Sequence, residues 1–174
     1  MKKSLVILLA ALPLIFCSCF SSKTTYTYVL DCDFDTFDMR QPRVMIKNVI
    51  MPGHLDTTQI MQRFSDTRIG PRRYQQWGIN FQRMVKNALT NKVAKASVSL
   101  ETFYTADVLF NRFEIQDGEV VLDAICNLRN GNQIRRSKRI RQAFPYNENA
   151  DDELVAAYNQ AIATLAKEII DLAK

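Results

Sequence analysis

The chain has 174 residues, a formal net charge of +5, and a composition that is 47% hydrophobic and 24% charged. Its single histidine, His54, rules out a multi-histidine metal site, and it contains no Gly-rich phosphate loop, G-x-S-x-G or S-x-x-K. These absences disfavour zinc, nucleotide-hydrolysis and serine-hydrolase chemistry and leave a non-enzymatic protein as the expectation.

The chain opens Met1-Lys2-Lys3-Ser4 and continues as an unbroken apolar run from Leu5 to Phe16. This is the layout of a signal peptide, and the run is shorter than the roughly 20 residues that span a bilayer. It ends in Phe16-Cys17-Ser18-Cys19, with a small residue directly before the second cysteine. Cys17 is the poorer acceptor because bulky Phe16 precedes it. Phe16 is also the one departure from a lipobox, standing three before Cys19. The expected organisation is a signal peptide over 1–18, a lipidated tether over 19–25 and a single domain over 26–174. A core of about 150 residues buries enough surface to fold without staples. Each buried CH₂ of an acyl chain contributes about 0.8 kcal/mol, so the two or three chains on a mature Cys19, palmitate among them, anchor it essentially permanently. Phe20-Ser21-Ser22 places no acidic residue at the second mature position, which favours the outer membrane in Gram-negative sorting. The alternatives are an ordinary cleaved leader and an uncleaved anchor.

Beyond the tether, Tyr26 to Leu30 reads as a strand, Asp31 to Asp38 as an acidic loop, and Val44 to Met51 as a second strand. Pro52-Gly53 turns the chain; Gln59 to Phe64 reads as a short strand and Arg68-Ile69 as a return closed by Gly70-Pro71. The spacing of Tyr74, Trp77, Phe81, Met84, Val85, Ala88 and Leu89 predicts a helix from about Arg72 to Val93. Strands are expected over Val98–Thr102, Val108–Ile115, Val120–Leu128 and Ile134–Phe144, with hairpin turns at Asp117-Gly118 and Asn130-Gly131. A polar loop containing Asn149, Asp151 and Asp152 is expected to cap a closing helix whose stripe is Leu154, Tyr158, Ala161, Ile162, Leu165, Ile169 and Leu172. The fold class is α+β: a mostly antiparallel sheet with two amphipathic helices packed on one face.

Few residues suggest a site. Cys32 and Cys126 both fall at core-facing positions, and an oxidising periplasm permits a disulfide between them, although two unlinked buried thiols explain the pattern equally. The acidic cluster Asp31, Asp33, Asp35 and Asp38 lacks the glycine and terminal glutamate of a calcium loop and reads as solvated. The run Arg135, Arg136, Lys138, Arg139 and Arg141 is the densest charge feature. On a strand it projects positive charge on both faces, which a central strand could not bury. It is either an edge guarded against aggregation or a contact for anionic head groups or an acidic partner. Nucleic acid is not expected as a partner of an exported lipoprotein.

Taken in order, these features resemble the ABC-type transport auxiliary lipoprotein family, which includes paraquat-inducible protein C and the lipoprotein partners of mammalian-cell-entry (MCE) lipid-transport systems. The residues that carry the resemblance are Tyr28-Val29-Leu30, Pro52-Gly53-His54-Leu55-Asp56, Gln59-Ile60, Arg63, Trp77, Leu89, Val108 to Phe113 with Arg112-Phe113, Gly118, Val120 to Leu128, and Leu165-Ala166. His54 stands where an aromatic residue is commoner, and Cys126 where a large aromatic or aliphatic residue is usual. The resemblance implies a non-enzymatic component, with no cofactor of its own, linking inner and outer membranes. Its implied partners are an ABC permease, its ATPase and an MCE-domain protein, and a homo-oligomer is compatible with the same role. It implies a lipid-anchored body on the periplasmic face of the outer membrane that helps to move phospholipid or another hydrophobic substrate. Two other readings are a lipid-binding envelope lipoprotein and a structural lipoprotein without transport partners.

Overall fold

The computed structural model describes residues 24–31, 44–96 and 103–174. Cys19, Cys32, most of the acidic loop and the strand expected over Val98–Thr102 lie outside the described residues. Among the described residues there are seven strands: β1 (Tyr26–Tyr28), β2 (Val44–Ile50), β3 (Gln59–Ser65), β4 (Arg68–Trp77), β5 (Tyr104–Gln116), β6 (Glu119–Asn130) and β7 (Gln133–Pro145). The helices are α1 (Phe81–Ala96) and α2 (Asp151–Leu172). The class is α+β, as expected.

The seven strands form one mixed sheet in the order β1-β4-β3-β5-β6-β7, with β2 paired to β5 off this path. The long β5-β6-β7 meander is antiparallel, and β3 runs antiparallel to β4. Parallel pairs join β1 to β4, β2 to β5 and β3 to β5. β2 and β3 thus share one edge of β5, β2 against Tyr104 to Leu109 and β3 against Ile115 and Gln116. A single 3-10 turn, Gly53–Leu55, separates them in sequence.

Both hairpins form where expected. Asp117 and Gly118 adopt φ of 51° and 76°, and Gly131 a φ of 59°. Two positive φ values in succession make the turn whose twist matches that of the flanking strands.

The helix expected from Arg72 begins instead at Phe81. Arg72 to Trp77 belong to β4, which runs through Gly70-Pro71 rather than ending there. A bulge lies in this strand, since Met61 pairs with Pro71 while Gln59 pairs with Gln76, and Tyr74 takes a φ of 65° within it. Helical spacing persisted across the boundary because Trp77 and Phe81 both enter the core and stack there, ring centroids 5.0 Å apart. Asn80 starts α1: its Oδ1 accepts from the Arg83 amide at 3.1 Å, the bond of an N-cap. For α2 the cap position is Ala150, with no side-chain cap bond, and Asp151, Asp152 and Glu153 instead occupy the first turn, where negative charge complements the helix dipole.

The helices pack together over one face of the sheet. Their buried stripes, Phe81, Met84, Val85, Ala88, Leu89 and Val93 on α1 and Leu154 through Ile169 on α2, meet alternate residues of β5, β6 and β7. An aromatic cluster sits at the centre. Tyr158 lies edge-on to Trp77 (5.0 Å) and Phe81 (5.6 Å), and Phe113 lies within 5.3 Å of Phe81, Phe110 and Tyr158. Edge-to-face packing of this kind adds to simple area burial.

Candidate functional site

The opposite face of the sheet carries no helix among the described residues, and its chemistry is set by three buried carboxylates: Asp107, Glu114 and Asp123. Buried charge is costly unless it is paired and hydrogen-bonded, and each of the three is. Asp123 receives a bidentate fork from Arg139, Nε to Oδ1 at 2.9 Å and Nη2 to Oδ2 at 2.6 Å, with Asn111 Nδ2 at 3.3 Å. That fork holds the Asp123 carboxyl below its ordinary value. Asp107 accepts from Arg129 Nε at 2.6 Å and Asn48 Nδ2 at 2.8 Å.

Glu114, wholly buried, is the most constrained. Its Oε1 accepts from Arg63 Nε at 2.5 Å and Arg112 Nε at 2.9 Å. Its Oε2 has His54 Nε2 3.4 Å away, and neither atom has another partner. A β-bulge between Phe110 and Arg112 creates this arrangement: it shifts the alternation of β5 by one residue, so that Phe113 and Ile115 face the helices while Arg112 and Glu114 face away.

The segment Pro52-Gly53-His54-Leu55-Asp56 therefore acts as a junction. Pro52 O accepts from the Leu55 amide at 2.8 Å, closing the turn. Leu55 is buried in the core, His54 reaches Glu114, and Asp56 Oδ1 accepts from Asn80 Nδ2 at 2.6 Å, steadying the residue that caps α1. Thr57 O accepts from the Phe81 amide at 2.9 Å. One short segment thus ties β5, the helix-free face and the start of α1 together.

The basic run lies where its charge demands. β7 ends the sheet order, and among the described residues no strand pairs with its outer edge. Arg136 and Lys138 point to the helix side, where Arg136 Nη1 donates to Leu172 O at 2.6 Å and Lys138 pairs with Glu168. Arg139 and Arg141 point to the helix-free side, and Arg135 stands unpaired where the β6–β7 register shifts. Beside them, Arg112, Gln116, Glu119, Val121, Arg141 and Ala143 line an open groove of about 380 Å³. A second groove of similar volume follows the β4 bulge from Pro71 to Gln76. Neither is lined by a core residue.

Cys126 is buried on the helix side of β6 with a free thiol, which burial pushes up to about 12. Cys32, with which a disulfide is possible, is outside the described residues.

Sequence reasoning missed Glu114, Asp107 and Asp123 as a set. Acidic residues at the non-core positions of alternating strands read as solvent-facing, and only the tertiary structure lays arginine arms over them. Arg63, Arg112 and His54, by contrast, all fell within the motifs that carried the family resemblance.

The fold has solved relatives. An uncharacterized protein of known crystal structure superposes with a TM-score of 0.69 at 19% identity, covering 86% of this chain and 98% of its own. A protein of the DUF330 family from Xanthomonas campestris superposes with a TM-score of 0.62 at 14% identity, covering 85% and 91%. No curated protein matches in sequence. The family described as ABC-type transport auxiliary lipoprotein component matches residues 34–170, which take in the His54–Glu114 junction, α1, most of α2 and the basic strand. The chain belongs to the ABC-type transport auxiliary lipoprotein component family.

Proposed function

We propose that this chain is a non-enzymatic, lipid-anchored component of an ABC transport system for phospholipid or another hydrophobic substrate. Acyl chains on Cys19 hold it to the periplasmic face of the outer membrane, and it works with an inner-membrane permease, its ATPase and an MCE-domain protein. Membership of the auxiliary lipoprotein family carries this reading. The packed aromatic core supports it, because a body filled with interlocked side chains works through its surface. That surface has two distinctive parts: a helix-free face fixed by charged pairs, and the edge strand bearing Arg135, Arg136, Lys138, Arg139 and Arg141, which is the proposed partner contact.

Labelling cells with radioactive palmitate, followed by extraction in mild detergent, tests the reading. The expected result is label on the wild-type chain, none on Cys19→Ser, and co-purification of permease and MCE subunits with the wild type. An unlabelled wild-type chain refutes the anchor. Repeated recovery of the labelled chain alone refutes the transport role.

A further inference from the structure

We infer that the outer edge of β7 receives an extended acidic segment of a partner protein, which adds to the sheet as an antiparallel or parallel neighbour. β7 is thirteen residues long, exposed apart from Ile140 and Phe144, and unpaired along its outer edge among the described residues. Alternate residues of such an edge direct both backbone N–H and C=O outward. A row of donors and acceptors at strand spacing is satisfied in register only by another strand.

The side chains select what that strand is. Arg136 and Lys138 lie on one face and Arg139 and Arg141 on the other, with Arg135 at the bulge where the register shifts. A flat anionic membrane would meet only one of these faces. An added strand alternates in the same way and places acidic residues opposite cations on both faces at once, the cross-strand pairing that stabilises sheets. A second copy of β7 would set like charges against each other along the whole ladder and is excluded on that ground. Arg141 lies across the ladder from Asp123 and helps to hold its charge, whereas Arg135 has no carboxylate partner among the described residues and is free to pair across the new interface. The inference rests on the docking role proposed above, yet it requires neither acylation nor a transporter for its test, so the two can fail separately.

The probe is a fluorescein-labelled peptide alternating glutamate with threonine and valine, titrated into the purified full chain in dodecyl maltoside micelles while amide hydrogen exchange is followed. The expected result is saturable binding with slowed exchange at alternate β7 amides. Arg135→Glu should weaken binding about threefold, since one attractive cross-strand pair becomes repulsive. The charge-reversed chain keeps the Arg139–Asp123 fork, so a native fluorescence spectrum from Trp77 confirms that it folds. Absent binding, binding unaltered by charge reversal, or binding without β7 protection would overturn the inference. So would β7 protection produced by phosphatidylglycerol added to the micelles and not by the peptide, which would assign the edge to lipid.

Discussion

Glu114 offers the sharpest test of how this sheet face is held. Removing one partner from a buried ion pair costs about 3–5 kcal/mol when the remaining charge is left uncompensated. Here two guanidiniums share one carboxylate oxygen, so Arg63→Met, which keeps the packing of the stem, should cost only about 2 kcal/mol because Arg112 remains. Arg63→Met with Arg112→Met strips Glu114 of both and should cost the full 3–5 kcal/mol. Adding Glu114→Met to that pair removes the stranded charge and should restore about 2–3 kcal/mol, since an apolar replacement of a whole buried ionic group is close to neutral. Glu114→Met alone should cost little, because the Arg63 and Arg112 side chains are 19% and 23% exposed and can turn to water. Urea unfolding followed by Trp77, the only tryptophan and 2% exposed, measures all four. A loss of 2 kcal/mol shifts the midpoint by about 1 M. A double variant within about 0.5 kcal/mol of wild type, or a triple variant no more stable than the double, would refute the argument.

Other expectations follow from the remaining pairs. Asp123 has a depressed folded-state value caused first by the Arg139 fork, so its stabilisation is complete above the ordinary value of 3.8 and is lost as pH falls through the folded one. Asp123→Asn should therefore flatten the acid limb of the stability–pH curve, and an unchanged limb would contradict the assignment. Burial, and then the bond it donates to Asp151 Oδ2 at 2.6 Å, push the Tyr28 hydroxyl up to about 12. Its contribution is thus full below pH 10 and fades between pH 10 and 12, and Tyr28→Phe should cost about 1 kcal/mol at neutral pH and nothing above that window. The raised Cys126 thiol should resist iodoacetamide in the native state and react at the rate of unfolding. Labelling that begins only after reductant is added would instead establish the bridge to Cys32. Phe113→Ala, at the centre of the aromatic cluster, should cost about 3–5 kcal/mol by thermal unfolding.

The second half of the fold was legible because its strands are long, alternate over most of their length, and are joined by hairpins at Gly118 and Gly131, which accept positive φ. The stripe of α2 was legible for the same reason, its period being unbroken over the whole helix. The start of α1 was not, because Trp77 and Phe81 sit four apart as helix neighbours would, although one ends a strand and the other begins a helix. Gly78 and Asn80 between them were the signal: a breaker, then a residue suited to an N-cap. The position of β7 at the edge followed from its charges alone, since a strand with arginine on both faces has no interior to occupy. The buried carboxylates were illegible for a different reason. Whether an aspartate on an outward face meets water or an arginine depends on which strand lies beside it, and the parallel contact of β3 with β5 brings together residues about fifty apart in sequence.

That parallel contact is narrow. β1, β3 and β4 hang from the rest of the sheet by two residue pairs, Gln62 with Ile115 and Arg63 with Gln116. A pull on the N-terminus would enter this lobe at β1 and load the seam directly, but Tyr28 offers a second route: its hydroxyl grips Asp151 at the head of α2, and its carbonyl accepts from the Gly78 amide at 2.8 Å. A pull arriving at Tyr26 is thereby divided between the long helix and the weak seam, with the bonds of Gln75 to Asp151 and of the Asp31 amide to Asn159 sharing the helix's part.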